Sequence, residues 1–295
     1  MKKGLVLEGG GFRGMFTVGV LDVFLEHEVK FDGMIGVSAG ACFGCNFKSK
    51  QHQRALRYNI RFAHDKRYSG FNSWMTTGNY FNANFAYHTV ADKLDVFDKK
   101  VFNENPMEFH LVVTDVLTGA PIYKKIESCD STFYEWLRAS ASMPVVSRPV
   151  EVDGMKLLDG GISDSIPLQY FENLGFNHNV VVLTQPIGYR KKKMTIMPFL
   201  SFSLRKYPCL VHALKVRHEM YNRELDYLSE RQKDGTCMVI CPEETLPIGR
   251  LSHDTNKMEM TYLLGRRAAE KFLISHSSRR EFPGHLDKVS VRIAE

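Results

Sequence analysis

Along this chain, short aliphatic runs alternate with stretches whose apolar positions recur every three or four residues. Leu5-Val6-Leu7 is the first run, and residues 15–28 follow with Phe16, Val20, Val23 and Phe24 at the spacing of one helix face. Met34-Ile35-Gly36-Val37 reads as a second strand and residues 39–50 as the helix after it. Further strands are expected at 109–114, 121–125, 156–158, 179–184 and 236–241, and a helix at 255–276. Strands and helices that alternate in this way predict an α/β protein with a largely parallel sheet. One segment breaks the rhythm. Residues 68–87 are rich in Asn, Phe, Tyr, Thr and Gly, and are expected to form an ordered surface insertion, with a lid or substrate-side loop as the alternative.

The chemistry-bearing residues cluster where the first two strands end. Strand one runs into Gly9-Gly10-Gly11-Phe12-Arg13-Gly14, and strand two into Gly36-Val37-Ser38-Ala39-Gly40. In an open parallel sheet the loops after each strand gather at the carboxyl edge. Neighbouring strands would bring these two loops within about 5 Å of one another. G-x-S-x-G is the pattern of a serine held on a sharp strand-to-helix turn, where side chains at 36 and 40 would clash with neighbouring backbone. The amides of Gly10 and Gly11 are candidates for holding an oxyanion, and both loops open into helix N-termini that favour negative charge. Arg13 has three readings: it orients the loop, holds an anionic headgroup, or makes a structural salt bridge.

Gly9, Gly11 and Gly14 also satisfy G-x-G-x-x-G, the dinucleotide-binding pattern. That fold places an acid at the end of its second strand, where this chain has Val37 and Ser38. A dinucleotide-dependent oxidoreductase is therefore a minor alternative. A base for Ser38 is not supplied by any of the 11 histidines, none of which sits in a catalytic context. With a single strand–helix unit before the serine, the order of an α/β-hydrolase does not fit either. Asp159, in Leu157-Leu158-Asp159-Gly160-Gly161, is the better candidate. Burial would raise its basicity, so a buried or semi-buried Asp159 within hydrogen-bond reach of Ser38 is expected. The alternative is an aspartate that only shapes a β-turn.

Composition changes this picture little. The 295 residues are 44% hydrophobic and 24% charged, ordinary values for a globular domain with ample core. No apolar run approaches the roughly 18–20 residues that span a bilayer. Met1-Lys2-Lys3 leads straight into the first strand, and a cytoplasmic location is expected. Six cysteines do not make a disulfide scaffold. Cys42 and Cys45 have C-x-x-C spacing without a matching second pair, and all six cysteines are expected to behave as small hydrophobes. Net charge is +6, and residues 190–217 hold eight Lys or Arg and no acid, around an apolar stretch at 194–204. A solvated basic face is one reading, and peripheral contact with anionic lipid headgroups the other. Nothing resembling a nucleic-acid motif accompanies the charge.

In order along the chain, G-G-G-x-R-G, G-x-S-x-G and D-G-G resemble the patatin-like phospholipases. Ala139-Ser140-Ala141-Ser142-Met143-Pro144 is similar to that family too, as is Thr114-Asp115 followed by Thr118-Gly119. The resemblance covers residues 4–185, and the rest looks like the C-terminal extension of bacterial members. It implies a three-layer α/β/α fold with residues 1–185 as the catalytic part. Residues 186–295 would complete the sheet and add a helical extension packed on the same domain. It implies a pair of Ser38 and Asp159 without histidine, and an oxyanion loop of Gly9, Gly10, Gly11 and Arg13. Gly14, Gly36, Gly40, Gly160 and Gly161 would support the motifs. The activity implied is hydrolysis of lipid or small esters through an acyl-enzyme, without metal or cofactor. A non-catalytic lipid-binding module is the alternative from another class.

Overall fold

The computed structural model describes residues 2–276. The last residues of the expected C-terminal part, 277–295, lie outside the described residues. The first half contains β1 (Lys2–Leu7), α1 (Met15–Glu26), β2 (Gly33–Val37), α2 (Ala39–Lys48), α3 (Arg54–Phe62) and α4 (Phe71–Thr77). A π-helical segment (Asn84–Leu94), α5 (Lys99–Glu104), β3 (Glu108–Asp115), β4 (Pro121–Ile126) and α6 (Phe133–Ser140) follow. Then come β5 (Val150–Val152), β6 (Met155–Asp159), α7 (Leu168–Asn173) and β7 (Phe176–Val182). The chain continues through α8 (Met197–Ser203), α9 (Pro208–Lys233), β8 (Cys237–Ile240) and α10 (Thr255–His276).

Period-two alternation along the central strands sorts the helices into two outer layers. Leu5, Leu7 and Met34 join a core with Phe16 and Val20 of α1, Phe43 of α2, Trp136 of α6 and Tyr262 of α10. Val6, Ile35 and Val37 point the other way, to Leu168 and Phe171 of α7 and Tyr221 and Leu228 of α9. The result is a three-layer α/β/α fold. Its sheet is parallel through β3-β2-β1-β7-β8, and β4, β5 and β6 join antiparallel at the β3 end. The β5–β6 hairpin turns through Asp153 and Gly154, both at positive φ (49° and 75°), the geometry that a two-residue hairpin of this twist needs.

β3 sets the register that matters most. β4 pairs with one edge of it over residues 109–114, so β2 and β6 must share the other edge end to end. Val37, the last residue of β2, pairs with Val112, and Asp159, the last residue of β6, pairs with Val113. Two strands that run in opposite directions thus meet with their C-terminal ends facing.

Residues after 185 extend the same sheet, since β8 pairs in parallel with β7. α10 crosses α1 with backbone against backbone, because a Cβ at Gly19 would meet Arg266 N at 2.8 Å and one at Gly265 would collide with Phe16. Several elements escaped the sequence pattern. β5 has only three residues, and β7 starts at Phe176, ahead of the expected 179. The 26-residue α9 begins inside the basic stretch, where charge masks a buried stripe of Leu210, Leu214, Arg217, Tyr221 and Leu228.

Candidate active site

Ser38 is the one-residue elbow between β2 and α2, at φ 56° and ψ −124°, a backbone region that L residues avoid and that persists only when its surroundings hold it. Those surroundings are visible. Ser38 N donates to Ser140 Oγ at 2.9 Å, and Ser140 Oγ donates to Val112 O at 2.7 Å, so the end of α6 ties the elbow to β3. A Cβ at Gly36 would stand 2.6 Å from Ala41 N, and one at Gly40 would stand 2.5 Å from Leu7 O. Gly14 lies against the ring of Phe43, where a Cβ would be 2.8 Å away.

Ser38 Oγ donates to Asp159 Oδ2 at 2.6 Å, the reach that the sequence leads one to expect. Asp159 is buried, and it is not in the β5–β6 hairpin turn. It ends β6 and opens a 3-10 turn, where its Oδ1 accepts from Gly161 N at 2.8 Å. Thr114 Oγ1 donates to Asp159 O at 2.8 Å, and Asp159 N donates to Ser142 O at 2.8 Å, which fix the backbone. Gly160 packs on the Val112 carbonyl with no room for a side chain. Burial pushes the Asp159 carboxyl above its ordinary range, while the Ser38 hydroxyl and the positive charge of Arg217 pull it part of the way back. A carboxylate in that state is more basic than a solvated one.

The glycine run passes beside this pair, as the β1–β2 pairing requires. A Cβ at Gly9 would stand 2.7 Å from Ser38 Cβ. Gly11, at φ 58°, needs its left-handed backbone and also abuts the Arg250 carbonyl. Phe12 N donates to that carbonyl at 3.1 Å and Arg13 N to Gly10 O at 3.3 Å. The amides of Gly10 and Gly11 have no partner among the described residues. Behind the loop, buried Glu8 accepts from Thr184 N (2.6 Å) and Thr184 Oγ1 (3.1 Å) on one oxygen and from Tyr221 OH (2.8 Å) on the other. The sequence reading missed Glu8, although an acid that directly precedes a glycine run is a legible signal.

Ser38 opens into an apolar cavity of about 320 Å³. Phe12, Phe43, Tyr58, Phe81, Tyr87 and Leu137 are among its walls. Residues 68–87, expected as a surface insertion, send Tyr68, Tyr80, Phe81, Ala86 and Tyr87 inward to this cavity, so the substrate-side alternative describes them better. Cys42 lines it as well, and burial pushes its thiol up to about 12, the behaviour of an inert small hydrophobe. Arg13 makes no ion pair within 4 Å among the described residues, although Glu8 attracts it, and its Nε is buried without a partner.

Fold and site together define an α/β protein that carries a serine–carboxylate pair on a strand-to-helix elbow beside a glycine loop. A family model described as patatin-like phospholipase matches residues 5–172, more than half of the chain, and the chain belongs to that family. A second model, a domain of unknown function termed DUF6363, matches residues 207–279. Among curated proteins, the uncharacterized protein YjjU of Escherichia coli (strain K12) is 29% identical over 187 residues, which cover 62% of this chain and 52% of that one. Lysophospholipase nte1 of Aspergillus fumigatus is 29% identical over 185 residues, covering 58% of this chain and 11% of the fungal protein. The chain thus spans about half the length of the first and a small part of the second. The crystal structure of VipD from Legionella pneumophila superposes with a TM-score of 0.46 at 13% identity, covering 93% of this chain and 67% of VipD. Among the described residues no helix is long and apolar enough to cross a membrane.

Proposed function

We propose that this protein is a serine lipid acyl hydrolase in which Ser38 and Asp159 act as a two-residue machine. The observation that carries the reading is the 2.6 Å hydrogen bond from Ser38 Oγ to a buried carboxylate, at the opening of an apolar cavity. Ser38 Oγ attacks the ester carbonyl as Asp159 takes its proton, and the amides of Gly10 and Gly11 receive the developing oxyanion. Collapse expels the alcohol, which takes the proton from Asp159, and leaves the acyl group on Ser38. Asp159 then deprotonates a water that attacks the acyl-enzyme, and returns that proton to Ser38 Oγ as the fatty acid leaves. The acyl chain occupies the aromatic cavity throughout. Family membership and the likeness to a fungal lysophospholipase support a lipid ester as substrate.

Residues 186–276 belong to the same working unit in this reading, since α9 and the chain before α10 bring Arg217 and Arg250 beside the glycine loop. The enzyme works in the cytoplasm on lipid presented by a membrane. α8 supports that placement: Phe199 and Phe202 are exposed on it and Ile196 just before it, flanked by exposed Lys192, Lys193, Arg205 and Lys206. Hydrolysis of a p-nitrophenyl ester by wild type and by Ser38→Ala tests the core of the reading. A loss of about 10⁴-fold or more is expected in the variant, with an unchanged circular dichroism spectrum. Equal rates in both proteins would refute it.

A further inference from the structure

Beside the apolar cavity, Ser38 also borders a small polar pocket of about 50 Å³. Its charged lining is Glu8, Arg13, Asp159, Lys191, Arg217 and Arg250. Both carboxylates are already supplied with donors, Glu8 by Thr184 and Tyr221, and Asp159 by Ser38 and Gly161. The cations have no carboxylate partner. Arg54, Arg57, Arg190 and Arg266 elsewhere each hold a carboxylate, whereas none of the four pocket cations does so among the described residues.

These cations are placed by the fold rather than left to solvent. Arg217 occupies the buried stripe of α9 and donates Nε to Gly161 O, next to the residue that follows Asp159. Arg13 is largely buried, with its Nε unpartnered. Lys191 is tied to α9 at both backbone groups, its N donating to Asn222 Oδ1 at 2.9 Å and its O accepting from Asn222 Nδ2 at 3.1 Å. That tether sets its ammonium 3.9 Å over the Tyr221 ring, inside the molecule, while Lys192 and Lys193 face solvent. With Lys191 protonated the lining carries two more positive than negative charges. Burial, and then the neighbouring Arg217, pull the Lys191 ammonium down to about 7, a state that an anion in the pocket would relieve.

We propose that this pocket is an anion subsite that takes the phosphate of the substrate whose acyl chain fills the apolar cavity. The substrate class is then an acylglycerol phosphate, a phosphomonoester whose dianion matches the charge excess and whose headgroup is small enough for the space. The proposal rests on the acyl-hydrolase reading above and adds the substrate class to it. Phosphate is a strong acceptor for guanidinium and ammonium donors, and the glycerol backbone places it a few bonds from the ester that Ser38 attacks.

The test compares 1-oleoyl lysophosphatidic acid with 1-oleoylglycerol in the same detergent micelles, with a p-nitrophenyl ester as neutral reference. Wild type is expected to favour the phosphorylated lipid in kcat/KM, and Lys191→Met to cut that ratio by about 10- to 100-fold. Lys30→Met, exposed in the loop that precedes β2, is expected to leave the ratio unchanged. Inorganic phosphate should inhibit hydrolysis of the p-nitrophenyl ester by wild type and raise its melting temperature, with both effects weakened in Lys191→Met. A ratio that Lys191→Met does not move overturns the subsite. Phosphate inhibition with an unmoved ratio means that the pocket takes a free anion, and that also overturns the lipid assignment. Neutral-ester hydrolysis that survives Ser38→Ala would instead refute the acyl-hydrolase reading, a separate failure.

Discussion

The two hollows that meet at Ser38 are built in opposite ways. The apolar cavity is large and walled by aromatic side chains from α2, α3, the 68–87 segment, the π-helical stretch and α6. The polar pocket is small, and its walls are the ends of β1, β2 and β6 with three cations from beyond residue 185. Apolar walls gain stability from burial whether or not substrate is present, at about 25 cal/mol per Å². Unpaired cations in a tight space cost stability until an anion arrives. One hollow is therefore a by-product of a good core, and the other persists at a cost that function must justify.

The largest effect within this comparison strikes the polar hollow, where Asp159 stands against Ser38. Asp159→Asn removes the base and should lower kcat/KM for any ester by about 10³-fold, the range of general-base catalysis. Because burial raises this carboxyl, wild-type activity should fall on the acid side at a pH above the ordinary aspartate value of 3.8, as protonation removes the base. The residual rate of Asp159→Asn should lack that limb. A variant with wild-type activity, or an acid limb that survives the substitution, would mean that another group takes the proton.

This contrast also explains what the sequence shows and what it hides. Gly9, Gly10, Gly11 and Ser38 are legible because each must satisfy a local backbone demand, a sharp turn or a close approach, that few residue types can meet, and Asp159 because Gly160 beside it meets such a demand. Placing Asp159 against Ser38 needs more than local pattern. It depends on β2 and β6 sharing one edge of β3, a long-range pairing that no short motif encodes. Residues of the cavity wall, such as Tyr58 and Tyr87, look like any core aromatics in the sequence, since their spacing serves their own helices. Lys191 is hidden for the converse reason. Three consecutive lysines read as one basic patch, and only the tether to Asn222 separates the first from its neighbours.

Filling the apolar hollow should separate it from the polar one. Ala86 lines the cavity and is only half-buried, so Ala86→Phe adds a ring there with limited strain on the core. If acyl chains lie along these walls, lost room for two or three methylenes costs about 2 kcal/mol, or about 30-fold in kcat/KM for a long-chain ester. A p-nitrophenyl acetate assay should change by less than about 3-fold, because the short chain never reaches the ring. Equal losses on both substrates would place the acyl chain elsewhere.

The outer lysines offer a smaller effect that belongs to neither hollow. Lys192→Glu with Lys193→Glu reverses two exposed charges beside the apolar face of α8. Each basic residue near an anionic surface is worth about 1 kcal/mol, so co-sedimentation with phosphatidylserine vesicles should weaken by about 10-fold or more. The substrate ratio that reads out Lys191 should stay where it was. Undiminished sedimentation would remove α8 from the membrane-facing surface.

The smallest expected effect bears most directly on the cost of the polar hollow. Glu8, Arg13, Arg217 and Arg250 act on Lys191, which lies over the Tyr221 ring, and its ammonium is pulled from an ordinary 10.5 down to about 7 by burial and by like charge. Below that pH the lysine is charged in both the folded and the unfolded chain, and folding carries the full penalty of confining it. Between about 7 and 10.5 the unfolded chain binds the extra proton, so the penalty fades as pH rises. Lys191→Met should therefore stabilise the protein most near pH 6, by about 1 kcal/mol or about 2–4 °C in melting temperature, and by less toward pH 10. Added phosphate should reverse the order of the two proteins at pH 6, because the wild type recovers more binding free energy from it than the variant does. If the variant melts lower than wild type at pH 6 without phosphate, Lys191 is a stabilising part of the core, and the polar hollow persists without the cost assigned to it.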